Sequence, residues 1–446
     1  MELLDLPNEL LVVVAEDLEL QRDFSALART CRRLFHLLNS DLYARDVRLS
    51  GGWALLWAAT HGQADVARRS LKAGANVKAD TDTCQQPLLL AARQGHEEVV
   101  RVLLGRVGVD VDCQDDTGRT PLSWAAGEGH VVIVRLLLAE DGVDLNSMDN
   151  DGVQAPIWAS RTGYDTEWGR TPLWFAAHKG NESVVELLLA EDGIDPNARN
   201  IARQTPLSCA AAEGHGGVVR LLLSRGDIEW SSADISGSTP LLLAAQNGHE
   251  TVVKQLLKWE NIEPEGPAEQ TPVLSAAENG HGRIVRLFLA RHCVDPNMKC
   301  YRGRALLSWL AVHGDEETVE MVLAIDGVDA GSKDDSGRTP LWLAAENGHG
   351  KVVRRLLGLD SVDANSVDKG GRTPLLVASE KGHEAVVQLL LTSEGVDPNS
   401  KDRKGRTPLS VAVKQRHEGI VKLLLAHGGV KSEAGEVLGS ISRHPS

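Results

Sequence analysis

The chain has 446 residues, with 47 Lys and Arg against 62 Asp and Glu, and so carries a formal charge of −15. That balance argues against wrapping nucleic acid or lying on an anionic membrane, both of which need a basic stripe. The longest apolar run near the start, Leu10 to Ala15, is far short of a membrane span, and Met1, Glu2 and Asp5 lack the positive charge of a secretion signal.

In chain order, residues 1–50 come first and read as a small helical segment. Leu6-Pro7-Asn8-Glu9-Leu10-Leu11 opens a helix with proline in its first turn and an acid close behind. Apolar positions then recur at Leu18, Leu20, Phe24, Leu27, Cys31, Leu34, Phe35, Leu38 and Leu42, a cluster of short helices too small to stand alone. Over residues 51–430 a phrase close to Thr-Pro-Leu-x-x-Ala-Ala-x-x-Gly-His-x-x-Val-Val-x-Leu-Leu-Leu returns, as at Thr120, Thr205 and Thr339. Pro172, Pro206 and Pro240 are 34 residues apart, and a fixed period of this size marks a solenoid in which each unit touches only its neighbours.

Thr171 to Asn197 shows the unit. Thr171 suits a helix N-cap and Pro172 the first turn; Leu173, Ala176 and Ala177 follow at helical spacing, and Gly180 ends this short helix. Val184, Val185, Leu187, Leu188 and Leu189 form the apolar face of a second helix, and Gly193, Asp195 and Asn197 lead into an extended hairpin. The predicted unit is helix, turn, helix, hairpin. Eleven such units are expected, with first helices starting near Ala54, Pro87, Pro121, Pro172, Pro206, Pro240, Pro272, Leu306, Pro340, Pro374 and Pro408. An irregular insert near 153–169 interrupts them, because Pro121 and Pro172 are 51 residues apart. It reads as a looped remnant of a repeat, and alternatively as a protruding element with Trp158, Tyr164 and Trp168 that grips a partner. Residues 431–446 are expected to be a flexible C-terminal tail.

These units resemble the ankyrin repeat. The implied fold class is an all-α-dominated repeat solenoid of helix-turn-helix-hairpin units, with the small helical segment in front. One departure is the His of the family's Thr-Pro-Leu-His, replaced by Ser123, Trp174, Ser208, Leu242, Trp342 and Ser410. Loss of its hydrogen bond to the threonine is expected to soften individual repeats.

The N-terminal segment resembles an F-box in its Leu-Pro-x-Glu-Leu opening, Asp23-Phe24, Leu27 and Cys31-Arg32-Arg33-Leu34-Phe35. That resemblance implies docking on a Skp-type adaptor and, through it, a cullin, with Leu6, Pro7, Glu9, Leu10, Leu27 and Leu34 in the adaptor contact. The alternative is a helical cap shielding the first repeat.

Other constellations read as structural. His96, His130, His215, His249, His281, His349, His383 and His417 recur once per repeat, so they serve a turn and do not gather into a metal centre. Recurring aspartates, as at Asp334-Asp335, read as turn chemistry and not as calcium loops. Six cysteines (Cys31, Cys84, Cys113, Cys209, Cys293 and Cys300) lack Cys-x-x-Cys spacing and read as free thiols of an intracellular protein, cytoplasmic or nuclear or both. Trp57, Trp124 and Trp309 share a repeat position expected to pack inward, whereas Trp230 and Trp259 lie in connections and are candidate exposed anchors.

No phosphate loop, nucleophile elbow or metal set appears, so no catalytic residue, cofactor or metal is assigned. Relatives of this architecture bind through hairpin tips and the exposed ends of first helices. That places the candidate partner-binding residues at Asp116, Glu128, Lys179, Trp230, Asn247, Glu346, Arg372 and Arg406. Tips running from acidic (Asp115, Asp116, Asp149, Asp151) to basic (Lys369, Arg372, Arg403, Lys404, Arg406) suggest a groove of graded polarity. The expected function is a protein–protein interaction adaptor, the substrate-recognition subunit of a cullin–RING ubiquitin ligase that holds an unknown protein substrate. The alternative is a scaffold or transcriptional co-regulator without ligase coupling.

Overall fold

A computed structural model describes residues 43–44, 46–48, 52–80, 85–149, 168–258, 271–291, 294–300, 302–427 and 429–430. Eleven helix pairs follow one another among them. They are Trp53–His61 with Ala64–Lys72, Pro87–Gln94 with Glu97–Leu104, Pro121–Glu128 with Val131–Leu138, Pro172–Lys179 with Glu182–Ala190, Pro206–Glu213 with Gly216–Leu223, and Pro240–Gln246 with Glu250–Leu256. The remaining pairs are Pro272–Glu278 with Gly282–Leu289, Leu306–His313 with Glu316–Leu323, Pro340–Glu346 with Gly350–Leu357, Pro374–Lys381 with Glu384–Thr392, and Pro408–Lys414 with Glu418–Ala426.

The chain forms two compact units that divide at Pro240 and Leu241. Within each unit a first helix packs on its own second helix and on the first helix of the next repeat, and second helices pack on second helices. No described helix is long and apolar enough to cross a membrane.

Local chemistry explains the helix starts. Thr120, Thr171, Thr205, Thr339, Thr373 and Thr407 each accept a backbone N–H from the residue three places on, and proline occupies the turn where a missing donor costs nothing. The expected softening from the absent histidine is not what the serine repeats show. Ser208 accepts the Thr205 N–H at 2.8 Å, and Ser410 accepts the Thr407 N–H at 2.9 Å, each closing a reciprocal capping box. Serine thus supplies a hydrogen bond back to the threonine.

The core is a strip renewed in every repeat. Leu173, Ala176, Ala177, Val184, Val185 and Leu188 of one unit are all fully buried. Each large member contributes about 1.5–3 kcal/mol on leaving water. The paired alanines bring first helices close together.

The connection from each second helix to the next threonine, hereafter the finger, differs from the expected hairpin. Among the described residues it contains no regular strand, and one isolated bridge joins Lys299 and Ala305. The finger is held instead by an acid. Asp368 Oδ1 accepts the N–H groups of Gly370 and Arg372 at 2.9 and 2.8 Å, and Oδ2 accepts from Arg372 Nε at 2.8 Å. Asp402 does the same with Lys404 and Arg406, and Asp334 with Ser336 and Arg338.

Candidate protein-interaction site

The fingers and the last turns of the first helices carry the candidate interaction face. Successive fingers are joined by one backbone bond each: Ile201 N–H to the Trp168 carbonyl, Ile235 N–H to Ala202, Asp335 N–H to Arg302, Lys369 N–H to Ser336 and Arg403 N–H to Gly370. A second ladder runs through the histidines. His96, His130, His215, His281, His349, His383 and His417 place Nε2 within 2.8–3.2 Å of a carbonyl at the end of the preceding first helix. Asn181 replaces histidine once and donates to Ala126 and Gly127. At Asp315 the acid caps its own helix, and His313 reaches the Glu278 carbonyl instead. The periodic histidines are therefore structural, and no group of three or more ligating side chains among the described residues could hold a metal ion.

The latch aspartates are buried, Asp149 at 1% and Asp402 at 6% exposure. Burial pushes the Asp334 and Asp402 carboxyls upward. Hydrogen bonds from the Arg338 and Arg406 backbone and guanidinium groups outweigh it and hold both below the usual carboxylate range.

The interrupted finger closes like the others. Arg170 N–H donates to Asp149 Oδ1 across a separation of 21 residues, whereas Arg119 does so to Asp115 across 4. Asp149 N–H and Arg170 O pair at 3.1 Å, as do Gly169 N–H and Asp149 O. The 17 additional residues thus leave from one fingertip and return to it, with Trp168 and Gly169 already part of the finger. Trp158 and Tyr164 lie outside the described residues.

Arginines of these fingers stack on the aromatic position of the first helices. Arg119 covers Trp124 at 4.5 Å and Phe175 at 4.3 Å, and Arg304 covers Trp309 at 4.3 Å; Arg93, from the last turn of the preceding first helix, adds a second guanidinium 4.2 Å from the Trp124 ring. Trp124 Nε1 donates to Asp115 Oδ2 at 2.8 Å. Trp309 is buried as expected, but Trp57 is 37% exposed. The finger arginine that covers Trp124 and Trp309 is replaced by Gly52 before Trp57, which among the described residues stacks on His61 at 4.6 Å.

Of the candidate partner-binding residues, Asp116, Glu128, Lys179 and Asn247 are exposed and Glu346 is half-buried. Trp230 is 38% exposed. Arg372 and Arg406 are half-buried and committed internally. Each pairs with its own latch acid at 2.8 Å, and both reach Glu380, Arg406 at 2.9 Å and Arg372 at 3.7 Å. Asp115 and Asp149 are likewise consumed by their turns, so of the tip charges read from sequence Asp116 faces outward in the first unit and Lys369, Arg403 and Lys404 in the second, joined by the exposed Arg203 and Asp335; Asp151 lies outside the described residues. Trp259 and the adaptor-contact residues Leu6, Pro7, Glu9, Leu10, Leu27 and Leu34 lie outside the described residues, as does the tail at 431–446.

Sequence reasoning missed the latch arginines and Glu380. The signal was the phrase Gly-Arg-Thr-Pro at residues 118–121, 169–172, 337–340, 371–374 and 405–408, which fixes an arginine two places before each proline.

No curated protein matches the chain. The family description Ankyrin repeats (3 copies) matches in six overlapping or adjacent stretches, 26–115, 88–200, 161–234, 241–334, 307–402 and 363–435. With that match across most of its length, and with helix pairs, capping threonines and latched fingers repeating in step, the chain belongs to the ankyrin-repeat family.

Proposed function

We propose that this ankyrin array is the substrate-binding part of a cullin–RING ubiquitin ligase receptor, with residues 1–41 docking on a Skp-type adaptor. The repeats themselves are a protein–protein interaction scaffold. The observation that supports the finer reading is the F-box-like run from Leu6 to Phe35 at the head of such an array, its Leu27 and Cys31–Phe35 part overlapping the family match that begins at residue 26. Leu6, Pro7, Glu9, Leu10, Leu27 and Leu34 would make the adaptor contact, and the finger face would hold the protein to be modified.

The boundary for testing this follows from the first repeat. Asp46, 4% exposed, accepts the Ala54 N–H at 3.0 Å and so caps the first helix. Tyr43 is buried and hydrogen-bonded to Arg69. Both belong to the fold of the array and must be kept. Co-purification from cells should therefore compare the full chain with one beginning at residue 42. Recovery of the Skp-type adaptor and cullin by the full chain alone is the expected result. Recovery by neither, with both chains folded, would leave an ankyrin scaffold without ligase coupling.

A further inference from the structure

The residue after each latch side chain, an acid in most fingers and Asn200 in one, where Oδ1 accepts the Gln204 N–H at 2.8 Å, is exposed at the tip of its finger. It is Asp116, Asp335, Lys369 or Arg403 in four described fingers, all charged. In two neighbouring fingers it is Ile201 and Ile235, 50% and 67% exposed, and the fingers that bear them are joined by the Ile235 N–H bond to the Ala202 carbonyl at 3.0 Å. Neither side chain serves the core.

A second observation falls on the same finger. Two places beyond the tip residue the backbone takes a positive φ, and Gly118, Gly169, Gly237, Gly337, Gly371 and Gly405 supply it with φ between 73° and 82°. In the finger of Ile201 that place is Arg203, with φ 60°. A long side chain in the left-handed region is strained where glycine would not be; among the described residues Arg416, in the turn of the last helix pair, is the one other non-glycine with such a φ, so the strain at Arg203 counts here only together with the exposed isoleucines. Arg203 is exposed and makes no ion pair among the described residues, unlike Arg170, Arg338, Arg372 and Arg406. The acids on the adjoining connection, Asp227 and Glu229, are already paired with Arg225 and Arg199. An unpaired cation on the same pair of joined fingers as two exposed isoleucines is complementary to a carboxylate with apolar side chains beside it.

We infer that Ile201, Arg203 and Ile235 form a docking patch for a linear segment of another protein that carries an acidic residue beside a pair of aliphatic or aromatic residues. This rests on reading the repeats as the partner-binding array, and it is independent of adaptor docking through residues 1–41. The test is selection of a displayed library of random linear peptides on the full chain. Enriched peptides should carry that acidic–apolar pattern. Ile201→Asp and Ile235→Asp should each weaken them by about tenfold or more, equivalent to about 1.4 kcal/mol. Arg203→Gly should weaken them several-fold and flatten their salt dependence, while raising the unfolding temperature by relieving the left-handed arginine.

Peptides lacking the pattern, or bound equally by the Ile235→Asp and Arg203→Gly chains, would overturn the inference. So would no enrichment at all. Binding seen only after removal of residues 151–167 would also overturn it, in favour of the chain's own insert as occupant. Adaptor capture by the Ile235→Asp chain is expected unchanged, so failure of this patch and failure of the ligase reading are told apart.

Discussion

Removing residues 151–167 and joining Asn150 to Trp168 is expected to leave the repeats folded and somewhat more stable. The finger would then read Asp149-Asn150-Trp168-Gly169-Arg170, with the latch-to-arginine separation of 4 seen from Asp115 to Arg119. No closing bond has to change, because the Asp149–Arg170 pair, the Gly169 N–H bond and the Ile201 N–H bond to Trp168 are already those of an uninterrupted finger. Shortening the closed separation from 21 to 4 removes loop-closure entropy of (3/2)RT times the logarithm of the ratio, about 1.5 kcal/mol. In a repeat array that gain is local, so amide hydrogen exchange is the assay. Protection in Val131–Leu138 and Pro172–Lys179 should rise by up to about tenfold, a factor worth about 1.4 kcal/mol, with the urea midpoint shifted upward at unchanged slope. A fall in protection there, or loss of helical circular dichroism, would refute the reasoning. The 17 residues would then be filling part of the core instead of leaving from a closed finger.

Further outcomes follow from the same geometry. Asp402→Asn should destabilise the last finger at neutral pH by about 1–3 kcal/mol, since it discharges the acceptor of Arg406 while keeping one oxygen for the backbone. Because the Asp334 and Asp402 carboxyls titrate below their unfolded value, the stability they give is present above about pH 4 and is lost as pH falls through the folded value. The Asp402→Asn chain and the parent should therefore converge in acid, as read by urea unfolding at successive pH values. Ser208→Ala removes the acceptor of the buried Thr205 N–H and should cost about 1–2 kcal/mol in thermal or urea unfolding. His215→Asn should be milder than His215→Ala, because Asn181 shows that an amide can reach the same carbonyls. Cys113 is 4% exposed, and burial, with Asp110 and Asp112 nearby, pushes its thiol up to about 12. It should resist alkylation at about pH 8 in the native chain and react once urea unfolds the protein.

The helix pairs were legible because their signals are local: threonine, proline, paired alanines and a closing glycine sit at fixed spacing within each unit. The first helices start where the sequence placed them, including Leu306, which stands where the other repeats have proline. The fingers were only partly legible. Their aspartates read as turn chemistry, but that the same acid also holds an arginine four places on is a contact across the turn, visible in sequence only as the recurring Gly-Arg-Thr-Pro. The candidate face suffered from this. Arg372 and Arg406 look like free cations in sequence, yet both are held by a latch acid and Glu380. Trp57 shows the converse error, since its exposure depends on Gly52 standing where a covering arginine stands in other repeats. The strain at Arg203 is likewise a backbone property, hinted at only by the missing glycine.

On the proposed function the chain divides into an adaptor-docking segment and a separate partner-binding array. Hydrogen exchange of the full chain, with and without purified Skp-type adaptor, tests that division most directly. The expected result is protection confined to residues 1–41, with exchange unchanged in the helices from Pro87 to Ala426. No protection anywhere, or protection on the fingers, would contradict it.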